Sequence, residues 1–337
     1  MLVSEQVSER SPGRSPGLGP VSGPAPVRRR GSPLVVAHRG ASATAPENTL
    51  AAFESALWAG ADLLELDVQL TADGVPVVLH DATLDRTTDG SGAVADTPWH
   101  RLERLDAGGW FSPAFAGQRV PSLGRVAQLL ARHPGRGLLV EFKGDWTAEQ
   151  AGVAVAVLRR TGVAQRCVLQ SFSLATVRAL ALAAPDLPRA VLVLRPGEPL
   201  PLASFLAALD DPERDLQAAL GTDPAEVAAA ARELAASTGA VACNPHAAAV
   251  VACPEVPALH RAAGLGTWVW TVNEPALWRV LVRAGVDGII TDDPGRLRGW
   301  LDAREERSTQ DLPPDERADL LRLAVARRRR TRDPVPA

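Results

Sequence analysis

Short apolar runs alternate with segments of helical spacing along most of the chain, and this alternation limits the possible folds more than any other feature. The apolar residues 35–37 come first, Leu50, Phe53 and Leu57 then recur at helical spacing, and a second apolar run occupies 62–68. Strand, helix and strand in close succession form a unit whose two strands lie parallel. The 337 residues are enough for one barrel of about 250 residues with tails. We therefore predict an α/β fold, a (β/α)8 TIM barrel.

Nine segments have the pattern of a strand, although such a barrel has eight places. They are residues 35–37, 62–68, 77–79, 138–142, 167–172, 190–194, 241–243, 267–272 and 288–291. The connection 69–76 is too short for a crossover helix, so the chain must return in extended form to reach 77–79. We expect either this return strand or the segment beginning at Val241 to lie outside the regular repeat.

The barrel domain is predicted to span residues 33–301, with an insertion at its rim after the third strand. Between about 83 and 121 the apolar periodicity fails, and a loop of this length inside a compact domain is usually functional or a small subdomain. Residues 195–224 are predicted to form a second insertion, on the surface. The tail 1–32 is rich in Ser, Pro and Gly and the tail 302–337 is charged, and we expect both to be disordered.

Net charge, cysteine spacing and the lengths of the apolar runs limit which binding partners and which cellular location can be expected. The formal net charge of -3 gives no global footprint for nucleic-acid binding, and no nucleic-acid partner is expected. Cys167, Cys243 and Cys253 form no Cys-x-x-Cys pair, and we interpret them as reduced core residues. No uninterrupted run of about eighteen apolar residues occurs, so no transmembrane segment is predicted and a cytoplasmic location is expected. The basic segment 319–330 could contact an acidic surface weakly, although a solvated helix is the commoner role.

Three carboxylates stand at the ends of predicted strands. Glu65 and Asp67 are two residues apart, so their side chains project to the same side of the strand. Glu141 ends a later strand. Close carboxylates repel one another unless a cation lies between them, and oxygen ligands without a cysteine pair favour magnesium or calcium over zinc. The alternative is that these residues form surface salt bridges.

Histidines and cations occupy neighbouring strand ends. Histidine is the side chain best suited to proton transfer near neutral pH, and His38 and His80 stand at neighbouring strand ends. Arg39 could grip two oxygens of an anion, and Lys143, the only lysine in the chain, supplies a second positive charge. The residues thus indicate a phosphate ester as substrate, hydrolysed with a metal ion and two histidines.

The loop after the first strand contributes two further candidates. Asn48 has the residue type that caps a helix, and we expect it to cap the helix that begins near Leu50. Glu47 is expected to point into the loop beside the strand ends. Residues 33–301, the predicted barrel domain, contain no Gly-x-x-x-x-Gly-Lys loop, Gly-x-Gly-x-x-Gly fingerprint or Gly-x-Ser-x-Gly elbow, so the corresponding nucleotide and esterase chemistries have no support there.

Eight short motifs follow one another in a specific order. They are His38-Arg39-Gly40, Pro46-Glu47-Asn48-Thr49, Glu65-Leu66-Asp67-Val68, His80-Asp81, Glu141-Phe142-Lys143, Ser171-Phe172, Trp270-Thr271-Val272-Asn273 and Gly288-Ile289-Ile290-Thr291-Asp292. Through them the chain resembles the glycerophosphodiester phosphodiesterases from about residue 35 to 297. The resemblance implies a barrel of the phospholipase-C-like phosphodiesterase type. It also implies hydrolysis of a glycerophosphodiester to glycerol 3-phosphate and an alcohol, through a cyclic phosphate formed by attack of the glycerol hydroxyl.

The resemblance also implies roles for individual residues. The divalent cation, Ca2+ or Mg2+, would be held by Glu65, Asp67 and Glu141; His38 and His80 would be the acid-base pair; Arg39 and Lys143 would bind phosphate; and Trp270 would form part of the substrate wall, with Glu47, Asn48 and Asn273 in support. Two alternatives remain open. A lysophospholipid could be cleaved as by a phospholipase D, with an apolar groove along Trp110, Phe111 or Phe115, or the barrel could bind phosphodiesters without turnover.

Overall fold

The computed structural model describes residues 32–194 and 223–303, and these form a closed barrel of eight parallel strands with helices between them. The nine strands are β1 Leu34–Ala37, β2 Leu63–Leu70, β3 Pro76–Val78, β4 Gly137–Phe142, β5 Cys167–Ser171, β6 Arg189–Val193, β7 Ala242–Pro245, β8 Gly266–Val269 and β9 Gly288–Thr291. Their order is β1-β9-β8-β7-β6-β5-β4-β2-β3, and a pairing of β1 with β2 closes the barrel. The predicted TIM barrel is confirmed.

The described helices lie between these strands along the chain. They are α1 Leu50–Trp58, α2 Trp99–Leu102, α3 Leu123–Ala131, α4 Ala148–Arg160, α5 Leu174–Ala183, α6 Pro224–Thr238, α7 Ala247–Ala252, α8 Val256–Ala262, α9 Pro275–Ala284 and α10 Pro294–Asp302. None of the helices in the described ranges is long and apolar enough to cross a membrane. The predictions for both tails and for the second insertion fall almost entirely on residues outside those ranges.

The ninth strand is the extended return segment. β3 pairs antiparallel with the end of β2, with Val68 opposite Val78, and has no other strand partner among the described residues. β7, which begins one residue after Val241, pairs in parallel with β6 and β8 and belongs to the barrel. Of the two candidates for the irregular strand, the return strand is therefore correct and the Val241 segment is wrong.

Side-chain caps explain where several helices begin. Thr147 accepts a hydrogen bond from the backbone N–H of Gln150, whose side chain accepts one from the Thr147 N–H in return, which satisfies two otherwise unpaired donors. At α1 the cap is Thr49, whose hydroxyl accepts from the N–H of Ala52. The prediction that Asn48 caps this helix is wrong, because its side chain is used elsewhere, as described below.

The insertion between β3 and α3 has a small core of its own. Seven buried apolar residues pack together there: Val77, Leu79, Leu84, Val94, Leu102, Ala107 and Val120. Asp106 accepts hydrogen bonds from the backbone N–H groups of Gly108, Gly109 and Gly117, which fixes the loop that follows α2. The predicted rim insertion after the third strand is therefore an ordered subdomain.

Strand register sets the layer in which the candidate site lies. Asp67 of β2 is level with Glu141 of β4, and Glu141 is level with Gln170 of β5. Because side chains alternate between the two faces of a strand, Glu65 and Asp67 share the face that looks into the barrel. Below them the interior is filled by apolar side chains such as Leu63, Leu139 and Val168.

Candidate active site

The candidate residues gather at the carboxyl ends of the barrel strands. His38 and Arg39 follow β1, Lys143 follows β4 and Trp270 follows β8, while Glu65, Asp67 and Glu141 lie near the ends of β2 and β4. In TIM barrels this face, formed by the loops that follow the strands, holds the active site. The remaining candidates, Glu47, Asn48, His80 and Asn273, lie in loops at the same end, as their contacts show.

The three carboxylates form a buried cluster. One oxygen from each of Glu65, Asp67 and Glu141 lies within 4.8 Å of the other two. Burial, together with the charges of Asp67 and Glu141, raises the pKa of Glu65 well above its ordinary value. Burial acts in the same direction on Asp67, but Lys143 and Arg39 outweigh it and hold the pKa of Asp67 well below its usual range. Burial and like charge therefore oppose full ionisation of the cluster, and this opposition falls on Glu65.

Two cations border this cluster. The Nζ atom of Lys143 lies 2.7 Å from Glu141 Oε1 and 3.5 Å from Asp67 Oδ1. Burial opposes the charge of Lys143, but the carboxylates of Asp67 and Glu141 raise its pKa overall. The backbone N–H of Arg39 donates to Glu65 Oε2 at 2.9 Å, and Arg39 Nε lies 3.3 Å from Asp67 Oδ2. Both cations are thus held at the edge of the carboxylate layer.

A divalent cation fits this donor set. Three carboxylates that converge without a cysteine or histidine among them offer the hard oxygen ligands that magnesium and calcium prefer. Burial is the largest cause of the raised pKa of Glu65, and the charges of Asp67 and Glu141 act in the same direction, against the opposing charge of Arg39. A bound ion would remove that repulsion, because an opposite charge close by favours the ionised form of a carboxylate.

His38 is oriented by a carboxylate that follows β9. Its Nδ1 atom lies 2.7 Å from Asp292 Oδ1. The side chain of Asn273 donates to Asp292 Oδ2 at 2.6 Å, and the Ser42 hydroxyl lies 3.0 Å from Asp292 Oδ1. Burial alone would raise the pKa of Asp292, but these hydrogen bonds and the charge of His38 lower it to about 2. An ionised Asp292 accepts a hydrogen bond from the Nδ1–H group of His38, which leaves Nε2 of His38 for chemistry.

His80 has the same arrangement. Its Nδ1 atom lies 2.6 Å from Oδ1 of the next residue, Asp81. The hydrogen bond with His80 and the bonds from Arg86 hold the pKa of Asp81 well below its ordinary value, although burial acts in the opposite sense. Each of the two histidines therefore has a carboxylate on Nδ1 and presents Nε2.

The loop before α1 supports Arg39 and Asp67. Glu47 Oε1 accepts a hydrogen bond from Arg39 Nη1 at 2.8 Å, and Asn48 Nδ2 donates to Asp67 Oδ2 at 2.8 Å. Arg39 and Asn48 both adopt positive φ angles, 55° and 58°, in the left-handed region that non-glycine residues seldom occupy. Such strain persists only where the surroundings impose it and is concentrated at functional sites.

Trp270 stands on another part of the rim. It is buried, its indole N–H donates to the carbonyl of Asn244 at 2.8 Å, and Phe172 meets it edge to face with ring centroids 5.4 Å apart. Phe172 is the more accessible of the two rings, with 39% of its surface exposed. A wall at this position therefore consists of Phe172 in front of Trp270.

Three residues of the site were given no role from the sequence: Asp81, Arg86 and Asp292. The two aspartates stand inside the motifs His80-Asp81 and Thr291-Asp292, but adjacency in sequence does not reveal which ring nitrogen a carboxylate meets. Arg86 lies in the insertion, among many other arginines, and carries no local signal. A carboxylate directly after a strand-end histidine was the one usable hint.

Comparison with known proteins agrees with this geometry. A model of the glycerophosphoryl diester phosphodiesterase family matches residues 38–296. The chain belongs to this family. It is accordingly a glycerophosphodiester phosphodiesterase, an enzyme of the phosphoric diester hydrolase class, and the resemblance seen in its motifs is confirmed.

Individual relatives cover nearly the same region. The Bacillus subtilis protein YhdW is 35% identical over 269 residues, which make up 77% of this chain and 94% of the relative. A glycerophosphodiester phosphodiesterase of Caldanaerobacter subterraneus subsp. tengcongensis is 32% identical over 268 residues, or 78% of this chain and 96% of the relative. The structure of an Oleispira antarctica phosphodiesterase, in complex with the product sn-glycerol-3-phosphate, is 26% identical and has a TM-score of 0.63, covering 80% of this chain and 97% of that one.

Proposed function

We propose that the enzyme uses a divalent cation and two histidines to hydrolyse a glycerophosphodiester to glycerol 3-phosphate and an alcohol. The observation that carries this proposal is the pair His38 and His80, each with Nδ1 held by an aspartate, beside the cluster of Glu65, Asp67 and Glu141. A phosphodiester needs one group to take a proton from the attacking oxygen and another to give a proton to the departing one. Two histidines whose Nε2 atoms have no hydrogen-bond partner among the described residues meet that need.

Arg39 and Lys143 are the proposed phosphate ligands. Arg39 is fixed by Glu47 through Nη1, and a guanidinium so held presents its remaining N–H groups in a defined plane. Lys143 contributes a compact charge that Glu141 holds in position. Together they would orient the phosphate and stabilise the negative charge that grows on its oxygens in the transition state.

Glu65, Asp67 and Glu141 are the proposed ligands of Ca2+ or Mg2+, which when bound would polarise a phosphoryl oxygen. In the first proposed step, one histidine accepts the proton of a glycerol hydroxyl as its oxygen attacks phosphorus. The bond from phosphorus to the alcohol oxygen breaks, and the other histidine donates a proton to that oxygen. The products of this step are a cyclic phosphate and the free alcohol.

The second proposed step returns both histidines to their starting state. The histidine that lost its proton now accepts one from water, whose oxygen attacks the cyclic phosphate. The opened ring oxygen receives its proton from the histidine that had been protonated in the first step. The net reaction consumes one water and yields glycerol 3-phosphate, a product that the Oleispira antarctica relative binds.

The three aromatic residues expected to line an apolar groove do not line the small cavity beside His80. The cavity beside His80 is lined by Glu47, Asn48, Val78, Leu79, His80, Thr87, Ala107 and Val120. Trp110, Phe111 and Phe115 pack edge to face on one another in the insertion and do not line this cavity.

The deciding experiment measures release of the free alcohol, choline or ethanolamine, from a panel of diesters, because a lysophospholipid would yield an acylated glycerol phosphate in place of glycerol 3-phosphate. The purified protein is freed of metal with a chelator, then assayed with glycerophosphocholine, glycerophosphoethanolamine and lysophosphatidylcholine, each with Mg2+ or Ca2+ restored. We expect release from a deacylated diester in the presence of one of these ions and little without metal. Activity that survives complete metal removal, or a preference for the lysophospholipid, would contradict the proposal.

Matched variants test the acid-base pair. His38→Ala is expected to lose most of its turnover, because proton transfer by a positioned side chain contributes roughly 10²- to 10⁴-fold. His100→Ala serves as the control, since His100 is an exposed residue of α2. Equal turnover in the two variants would remove His38 from the mechanism.

A further inference from the structure

Arg86 extends from the rim insertion to two carboxylates of the site. Its Nε and Nη2 atoms donate to Asp81 Oδ2 and Oδ1 at 2.6 and 3.0 Å. Its Nη1 and Nη2 atoms donate to Glu47 Oε2 and Oε1 at 2.9 and 2.8 Å. One guanidinium therefore binds two carboxylates, each through two oxygens.

Each of these carboxylates also holds a candidate catalytic or phosphate-binding group, through an oxygen that it shares with Arg86. Asp81 Oδ1 also contacts His80 Nδ1, and Glu47 Oε1 also accepts from Arg39 Nη1. The contacts form a continuous chain that runs from His80 through Asp81, Arg86 and Glu47 to Arg39. The two ends of the chain are one histidine of the acid-base pair and one phosphate ligand.

The geometry points to Arg86 as a positioning residue that fixes His80 through Asp81 and Arg39 through Glu47. Its kinetic consequence rests on the function proposed above, whereas its structural consequence does not. A well-ordered rim insertion would therefore fix the positions of both His80 and Arg39, because Arg86 belongs to that insertion.

An arginine is suited to this place for two reasons. Its planar fork can bind two carboxylates at once, which the single ammonium of a lysine cannot do with the same geometry. Its positive charge also separates Glu47 from Asp81, which would otherwise repel each other. An exposed ion pair contributes little on its own, but the side chain of Arg86 is only 42% exposed and belongs to a connected network.

A simpler explanation is that Arg86 only anchors the insertion to the barrel. In that case its loss would lower the unfolding temperature without changing how Asp81 holds His80. The protonation of the His80 ring separates the two explanations, because a loosened Asp81 would release the proton on Nδ1 and allow the other tautomer.

The test compares Arg86→Gln with Arg101→Gln, a variant of an exposed arginine on α2 of the same insertion. Nitrogen-15 NMR of the histidine rings, with His80 assigned by the spectrum of His80→Gln, is expected to show the Nδ1-protonated tautomer alone in the wild type and a mixture in Arg86→Gln. We expect kcat to fall about tenfold or more in Arg86→Gln and to stay within twofold of wild type in Arg101→Gln.

A double-mutant cycle provides the second criterion. If Arg86 acts through Asp81, the loss in kcat of Arg86→Gln combined with Asp81→Asn should be clearly smaller than the product of the two separate losses. An unchanged His80 tautomer, or losses that multiply, would overturn the proposal. Should Arg86→Gln fail to fold, Arg86→Lys keeps one cation and allows the same two measurements. A wild-type protein that released no glycerol 3-phosphate would refute the proposed function, while the tautomer comparison would still decide the role of Arg86.

Discussion

At the scale of single residues, the proposed mechanism depends on how two imidazole rings are oriented. A neutral histidine carries its proton on either nitrogen, and the partner of one nitrogen decides the state of the other. His38 and His80 have different partners, one from the loop after β9 and one from the adjacent position. In both histidines the carboxylate engages Nδ1 and leaves Nε2 available, although the contact is long-range for His38 and local for His80.

The long-range contact gives a prediction for Asp292→Asn. An amide can donate to Nδ1, which would favour the tautomer with the proton on Nε2 and leave Nε2 of a neutral His38 unable to accept one. We expect kcat to fall by roughly 10²-fold or more, with a smaller change in KM, in steady-state assays on the preferred diester. Asp293→Asn is the control, because Asp293 caps α10 and asparagine caps as well. Similar kcat values for the two variants would refute the role of Asp292.

At the scale of secondary structure elements, the turn after β1 must pass very close to α1. Gly40 has a φ of +87°, and a Cβ placed on it would lie 2.6 Å from the carbonyl carbon of Ala52. That turn carries His38 and Arg39, so its path fixes two residues of the site. Glycine is required here both by the backbone angle and by the lack of space.

Gly40→Ala and Gly74→Ala separate these two requirements. Gly74 has a φ of +75°, and a Cβ placed on it would have no atom within 4 Å, so its substitution costs about 1–2 kcal/mol from backbone strain alone. Gly40→Ala adds a backbone clash, and we expect a loss of about 3 kcal/mol or more together with reduced turnover. Urea unfolding and a diesterase assay measure both effects. Equal losses of stability would show that the helix moves aside without cost.

His260 makes the packing of α8 on β8 sensitive to pH. It is buried, its Nδ1 lies 3.0 Å from Thr267 Oγ1, and burial lowers its pKa to about 4. In the unfolded chain the pKa returns to about 6.5. The unfolded state therefore binds a proton more readily between these values, so stability is complete above pH 6.5 and declines as the pH falls towards 4.

The expected contribution of His260 over this interval is ~3 kcal/mol. His260→Gln removes the titration, and its free energy of unfolding should decline less between pH 6.5 and 4 than that of the wild type. His100→Gln, at an exposed position of α2, should retain the wild-type decline. Parallel curves for wild type and His260→Gln, measured by urea unfolding at each pH, would contradict this account.

The sequence predicted the elements well where periodicity decides them and poorly where a tertiary contact does. Apolar runs such as residues 138–140 could be recognised as strands in the sequence because both faces of a barrel strand are buried. The prediction that Asn48 caps α1 failed because its side chain instead contacts Asp67, and a contact between residues 19 positions apart is not visible in the local sequence. Likewise Arg86 could not be selected, because its partners Glu47 and Asp81 meet only when the insertion folds over the barrel.

At the scale of the whole molecule, the carboxylate cluster should link metal binding to global stability. An ion that binds the folded state alone at a free concentration of 100 times its Kd stabilises that state by about 2.7 kcal/mol. Mg2+ or Ca2+ is therefore expected to raise the unfolding temperature, and a chelator to reverse the effect. Glu65→Gln should lose most of this shift, because it removes one charged ligand.

Glu65→Gln has a second expected consequence without metal. Because burial and the neighbouring charges raise the pKa of Glu65, the amide should leave the metal-free protein as stable as the wild type or more so. Glu54→Gln, at an exposed position of α1, should keep the metal-induced shift. A full shift in Glu65→Gln, measured by calorimetry with and without the ion, would exclude Glu65 as a ligand.

The antiparallel strand β3 has a consequence for how such enzymes can diverge. It leaves the barrel without a crossover helix, and the segment from β3 to α3 carries His80, Asp81 and Arg86 around a core of its own. His80 therefore belongs to the insertion segment, whereas His38 belongs to the barrel. Recombination between relatives at the borders of this segment would exchange the proposed proton-transfer group His80 and the adjoining cavity lining as one heritable unit, leaving the proposed metal ligands untouched.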